Sequence, residues 1–121
     1  MKGYVKNIEK LTAENRNFRK VLCTAKRQQL VLMFLKAGED IGMEVHKTVD
    51  QFFRIESGKG KVVMSGKAAA FGPGFAIIVP AGTKHNVIAK TAVKLYTIYS
   101  PPNHPPDRVQ RTKAQAMAEE D

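Results

Sequence analysis

Between Phe18 and Tyr99 the chain is cut into short apolar runs by turn-forming residues, at intervals of roughly eight to twelve residues. That punctuation leaves few folds open. Phe18–Cys23, Gln29–Lys36, Ile41–His46, Asp50–Glu56, Lys61–Met64, Ala68–Phe71, Phe75–Val79, Lys84–Ala89 and Val93–Tyr99 each read as a strand. Between them stand breaks such as Ala37-Gly38-Glu39-Asp40, Lys47-Thr48-Val49, Ser65-Gly66-Lys67 and Gly72-Pro73-Gly74. Glycine reaches backbone angles that other residues avoid, and proline withholds the amide a ladder needs. Parallel strands would require a crossover of a dozen or more residues, and these gaps are too short for one. The fold expected is all-β, an antiparallel sandwich or barrel. Gly58-Lys59-Gly60 is expected to close a hairpin between its two flanking runs.

The ends differ from the middle. Residues 1–17 read as an N-terminal arm, with a short helical turn in residues 6–15 and Thr12 as its N-cap. Residues 18–100 are expected to form the sandwich or barrel. Residues 101–121 begin with Pro101, Pro102, Pro105 and Pro106, which cannot enter a sheet interior, and continue into a C-terminal helix over Asp107–Glu119 with Asp107 as its cap. The run Leu30–Leu35 is apolar on both faces, so one face meets the core and the other a second sheet or a partner subunit. A homodimer is expected, because a bare apolar sheet face would otherwise remain exposed.

A chain of 121 residues with 43% hydrophobic residues can bury one core. The single cysteine, Cys23, permits no intrachain disulfide and fits a reducing compartment. The start, MKGYVKNIEK, lacks the apolar stretch of a signal peptide, and Leu30–Leu35 is too short to span a bilayer. A soluble cytoplasmic protein with no membrane partner is expected. Lys and Arg exceed Asp and Glu by 20 to 11, and residues 1–36 carry nine of the 20 against two acids. Nucleic-acid binders add stacking aromatics or a recognition element to such charge. Aromatics here are 7% with no Trp, so nucleic acid is not expected as a partner. The excess reads as a solvated basic face or as an attractor of small anionic molecules.

Two segments carry the chemistry. Alternation along Ile41–His46 points Glu44 and His46 to one face. Gln51, Phe53 and Ile55 can face the same interior, and Pro80-Ala81-Gly82 makes a corner that delivers His85 onto a new strand. A carboxylate, two imidazoles and an amide oxygen would make a compact pocket for a first-row divalent ion.

These segments resemble the paired motifs of the cupin superfamily. Gly74, Pro80, Gly82 and His85 match the second motif at each spacing, Gln51 to Gly58 matches the end of the first, and His46 stands at its second histidine. Glu44 replaces the first histidine, Gln51 replaces the glutamate, and Ala89 replaces a closing asparagine, with Asn86 nearby. The resemblance implies a double-stranded β-helix, or jelly-roll barrel, over residues 18–99. It also implies one divalent ion (Zn, Mn, Fe or Ni) held by Glu44, His46, Gln51 and His85. The phrases EVHKTVDQFFRIESGKGKVV, VPAGTKHNV and LYTIYSPPNHPP are similar to small cupins called mannose-6-phosphate-isomerase-like, which implies a metal-dependent aldose–ketose isomerisation.

The function expected is action on a small polar or anionic substrate, with Glu44 and His85 as candidate catalytic groups. Gln51 would coordinate through Oε1 or hold a water near the ion. Phe53, Tyr96 and His104 are candidate substrate contacts: Phe53 through its inward face, Tyr96 if it reaches the pocket, and His104 if the proline-rich segment folds over the barrel mouth. Met33, Met43 and Met64 read as core filler. A metal-dependent dioxygenase and a non-catalytic binding or sensing barrel are the alternatives.

Overall fold

Residues 2–120 are described by the structure, a computed structural model. Nine strands and two short helices follow one another: α1 Ile8–Glu14, β1 Arg19–Thr24, β2 Gln29–Leu35, β3 Asp50–Ser57, β4 Gly60–Met64, β5 Lys67–Phe71, β6 Ala76–Val79, β7 His85–Ala89, β8 Val93–Ser100, β9 Val109–Gln110 and α2 Lys113–Ala118. They form two antiparallel sheets, one of six strands in the order β6-β3-β8-β2-β1-β9 and one of three in the order β5-β4-β7. This is the antiparallel jelly-roll barrel expected of the sequence.

Alternation sorts the side chains. In β8, Val93, Leu95, Thr97 and Tyr99 are buried while Lys94, Tyr96 and Ile98 are only half-buried. Phe53 and Ile55 of β3 face the same interior, where they meet Val62, Val87 and Phe71 from the small sheet. Each such apolar side chain contributes ~1.5–3 kcal/mol when fully buried. The rows across the large sheet change in character. Ile55, Leu95 and Met33 lie in one apolar row, and Phe53, Thr97 and Val31 lie in the next. Gln51, Tyr99 and Gln29 form the last, polar row. One end of the barrel is therefore a dry core and the other is lined with hydrogen-bonding groups.

Five local expectations are corrected. Ile41–His46 is not a strand: only Asp40 and Glu44 bridge to the small sheet, at Ile88 and His85, and Gly42 between them has φ +87°. The left-handed residue bends the segment around the barrel rim instead of letting it run along the ladder. Gly58-Lys59-Gly60 does not close a hairpin, because β3 pairs with β6 and β8 while β4 pairs with β5 and β7. It is a crossing between sheets, and both glycines are there for room. A Cβ on Gly58 would collide with the Ala92 carbonyl, and one on Gly60 with the Ile88 carbonyl. Thr12 is inside α1, buried, with Oγ1 donating to the Ile8 carbonyl at 2.7 Å; Asn7 caps the helix by accepting from the Lys10 amide at 3.0 Å. Asp107 sits at φ +62° before β9, so the last helix is shorter and starts after Thr112. Met43 is exposed, not core.

The sheet also runs past residue 100. β9 pairs with β1, joining Arg19 to Gln110 and Lys20 to Val109. On the opposite side, α1 packs on the outer face of the large sheet against β2, β3 and β8. There the outward Lys94 donates to the Ala13 carbonyl. The second apolar face of β2 is thus covered in part by the chain's own arm. No helix among the described residues is long and apolar enough to cross a membrane.

Candidate metal centre

Backbone hydrogen bonds bring the two chemical segments together. Glu44 and His85 exchange both of their amide bonds, at 2.8 and 2.9 Å, and the Gly82 amide donates to the His46 carbonyl at 2.8 Å. The Pro80–Gly82 corner is pinned from below by Asp50, whose Oδ1 accepts from the Ala81 amide at 2.8 Å. Asp50, exposed at the start of β3, thus holds the turn. The rim segment and the corner are hydrogen-bonded to each other, and Glu44, His46 and His85 come together where they meet.

One ligand atom from each of these three residues lies within 4.8 Å of the other two. His85 is fully buried. Its Nδ1 is 2.9 Å from the Thr83 carbonyl. A carbonyl can only accept, so Nδ1 carries the proton and Nε2 presents a lone pair. That Nε2 is buried without a hydrogen-bond partner. His46 Nε2 is 2.9 Å from Glu44 Oε2, yet it too makes no aligned hydrogen bond. The pair is close but not aligned as a hydrogen bond. The rings of His46 and His85 lie 5.6 Å apart.

Gln51 lies on β3, buried, in the polar row of the large sheet. Its Nε2 donates to Thr97 Oγ1 at 3.0 Å, which leaves Oε1 buried and unpartnered. An unsatisfied buried oxygen costs ~1–3 kcal/mol unless something meets it. Glu44, His46 and His85 thus make a candidate triad of two imidazole nitrogens and a carboxylate, a chemistry suited to a first-row divalent ion. Of the sequence-predicted residues, Glu44, His46 and His85 come together, and Gln51 stands in the polar row of the large sheet opposite Tyr99.

The candidate substrate contacts divide. Phe53 is buried beneath His85, ring centroids 6.4 Å apart, and packs the site from below. Tyr96 is on the outer face of β8, 6.3 Å from Phe52, because its parity is opposite to that of Tyr99. It does not reach the pocket. His104 does come over the mouth: its Nε2 is 3.2 Å from the Tyr99 hydroxyl, and Tyr99 in turn packs edge-on to His46 at 5.9 Å. Burial, with Arg19 next, pushes the His104 pKa down to about 4. Burial pushes the Tyr99 hydroxyl up from its usual value.

Sequence reasoning missed Gln29. It is fully buried, accepts from the Asn103 and His104 amides at 3.1 and 2.9 Å, and donates to the His104 carbonyl at 2.7 Å and to Thr24 at 2.9 Å. The only signal was a glutamine on an inward strand position. Above the site opens a cavity of about 500 Å³, with Glu44, His46 and His104 on its wall and Arg19 and Arg108 beside them.

Residues 31–99 match the family described as Cupin domain. The chain belongs to the cupin family. This cupin is 49% identical to the uncharacterized protein YrkC of Bacillus subtilis over 128 residues, covering 99% of the chain and 69% of YrkC. It is 41% identical to the uncharacterized protein L612 of Acanthamoeba polyphaga mimivirus, covering 93% and 74%. Among solved structures, BH2720 of Bacillus halodurans superposes with a TM-score of 0.93 at 45% identity, over 95% of this chain and 93% of that one.

Proposed function

We propose that this cupin is a metal-dependent, homodimeric cytoplasmic enzyme that moves a proton on a small polar, anionic substrate, as a sugar-phosphate isomerase does. The observation that carries this is the pair of buried, partnerless Nε2 atoms of His46 and His85 converging with the Glu44 carboxylate. A divalent ion bound there would supply Lewis acidity toward a hydroxyl or carbonyl oxygen. His85 is sealed behind the cavity wall and held in one tautomer by Thr83, so its role is to hold rather than to shuttle a proton. Gln51 Oε1 adds a neutral oxygen from the opposite sheet. Glu44 is the acid of the trio and lines the cavity, where its carboxylate can take a proton from carbon or oxygen next to a carbonyl. The dimer is supported by the outer face of the large sheet, where Ile78 is 65% exposed beside half-buried Phe52.

The test is proton exchange. Protein loaded with Zn, Mn, Fe or Ni is incubated in D₂O with a panel of aldose and ketose phosphates, and deuterium incorporation is followed by NMR. Metal-dependent exchange that falls at least ~10²-fold in Glu44→Gln supports the reading. No exchange with any metal leaves the binding-barrel reading, which the neutral Gln51 favours. Oxygen uptake by the iron-loaded protein without exchange would instead favour the dioxygenase reading.

A further inference from the structure

Arg19 is an unusual residue to find on the inner face of a barrel. It is 7% exposed, and its Nη1 donates to Gln110 Oε1 at 2.6 Å. Its Nε is buried without a hydrogen-bond partner. Among the described residues no carboxylate pairs with it: Glu44 lies against His46, Glu56 pairs with Arg54 and Asp40 with Lys113. A buried guanidinium with neither a counter-ion nor a full set of acceptors is expensive. Its place explains why it is kept: it lines the same cavity as Glu44 and His46, and so does half-buried Arg108.

The neighbours strengthen the point. Arg19 lies beside the Tyr99 hydroxyl and over the Phe18 ring, 5.3 Å from the centroid. Tyr99 separates it from His46 by one ring. Gln110 passes the contact on to Glu119, its Nε2 donating to Oε1 at 3.0 Å, but Glu119 is exposed and solvated. Lys113 is taken up by Asp40. The cavity therefore has one wall with Glu44 and His46 and, beside Tyr99, another with Arg19 and Arg108; the exposed Glu119 and Glu120 line it too, and Glu119 feels the Arg108 charge, but no carboxylate among the described residues forms an ion pair with either guanidinium.

We infer that Arg19 and Arg108 form an anion-anchoring subsite, which grips the carboxylate or phosphate group of a small substrate while that substrate's hydroxyl or carbonyl end faces Glu44 and His46. This rests on the metal-site reading for the second half of the statement and on the cavity alone for the first. A guanidinium fork matches both oxyanions and would gain the acceptors that Arg19 lacks. A cavity of about 500 Å³ sets the size to that of a small metabolite-like anion rather than a polymer.

The experiment is an NMR titration of the full chain, metal-free and zinc-loaded, with glycolate, inorganic phosphate and neutral ethylene glycol. The readouts are the Arg19 Nε–H resonance and the dissociation constant. Glycolate or phosphate is expected to shift that resonance and bind at least ~10-fold more weakly to Arg108→Gln and to Arg19→Gln, with ethylene glycol silent. Which of the two anions binds better assigns the carboxylate or the phosphate class. Arg19→Lys keeps the charge and guards against loss of fold: its fold is checked by amide spectra, and intermediate affinity is expected. Anion binding equal in wild type and Arg108→Gln, or no anion binding at all, overturns the inference. Anion binding in a protein that takes up no zinc upholds the subsite and sinks the metal reading instead.

Discussion

His46 Nε2 lies 2.9 Å from Glu44 Oε2 and does not point at it. Backbone bonds fix Glu44 to His85 and the Gly82 amide to the His46 carbonyl, so the three side chains leave neighbouring points of the rim.

Gln29 is expected to be the clasp of the proline-rich segment. Gln29→Ala removes four hydrogen bonds from a fully buried site and leaves the Asn103 and His104 amides unmet. Chemical denaturation should show a loss of ~2–4 kcal/mol. Limited proteolysis should cut near residues 101–106 before the barrel is touched. Unchanged stability would mean that the segment is held by something else.

The crossing glycines should tolerate nothing larger. Gly60→Ala or Gly58→Ala drives a methyl into a backbone carbonyl that has no room to retreat. A cost above ~2 kcal/mol, or failure to fold, is expected in thermal melts. Gly72→Ala is the control: nothing lies within 4 Å of its Cβ position and its φ is not positive, so it should change stability by no more than ~0.5 kcal/mol.

These residues also show what was legible beforehand. Strand positions and inward faces could be read because alternation is local, and His85 could be placed because a Pro-Gly corner leaves the chain few exits. The partners of Gly58 and Gly60 could not be read, since a glycine needed for a hairpin turn and one needed for close passage look the same in sequence. Thr12 and Asp107 misled because both are sound caps in general, while Asn7 and Thr112 are better placed against the packed helices. Gln29 and Arg19 were silent for a different reason. Their roles depend on residues 75 and 91 positions away, His104 and Gln110, which no local pattern ties to them.

His104 should make stability fall in acid. Its folded pKa of about 4 lies below the ordinary 6.5, through burial first and the repulsion of Arg19 next. As pH drops, the unfolded chain takes the proton before the folded one does. The contribution is therefore complete above about pH 6.5 and is lost as pH falls toward 4. In chelator-treated protein, denaturation at pH 7 and pH 4.5 should show a decline about 2 kcal/mol steeper in wild type than in His104→Asn. Parallel pH profiles would place the ring in water and refute its seat against Tyr99.

The central claim is that Glu44, His46, Gln51 and His85 hold one divalent ion. Its most direct test is elemental analysis of protein purified without added metal, followed by titration with Zn, Mn, Fe and Ni after chelation. About one equivalent per chain is predicted, with most of it lost in His46→Ala and His85→Ala variants that remain folded. A wild-type protein that is metal-free as purified and takes up none of the four ions would contradict it.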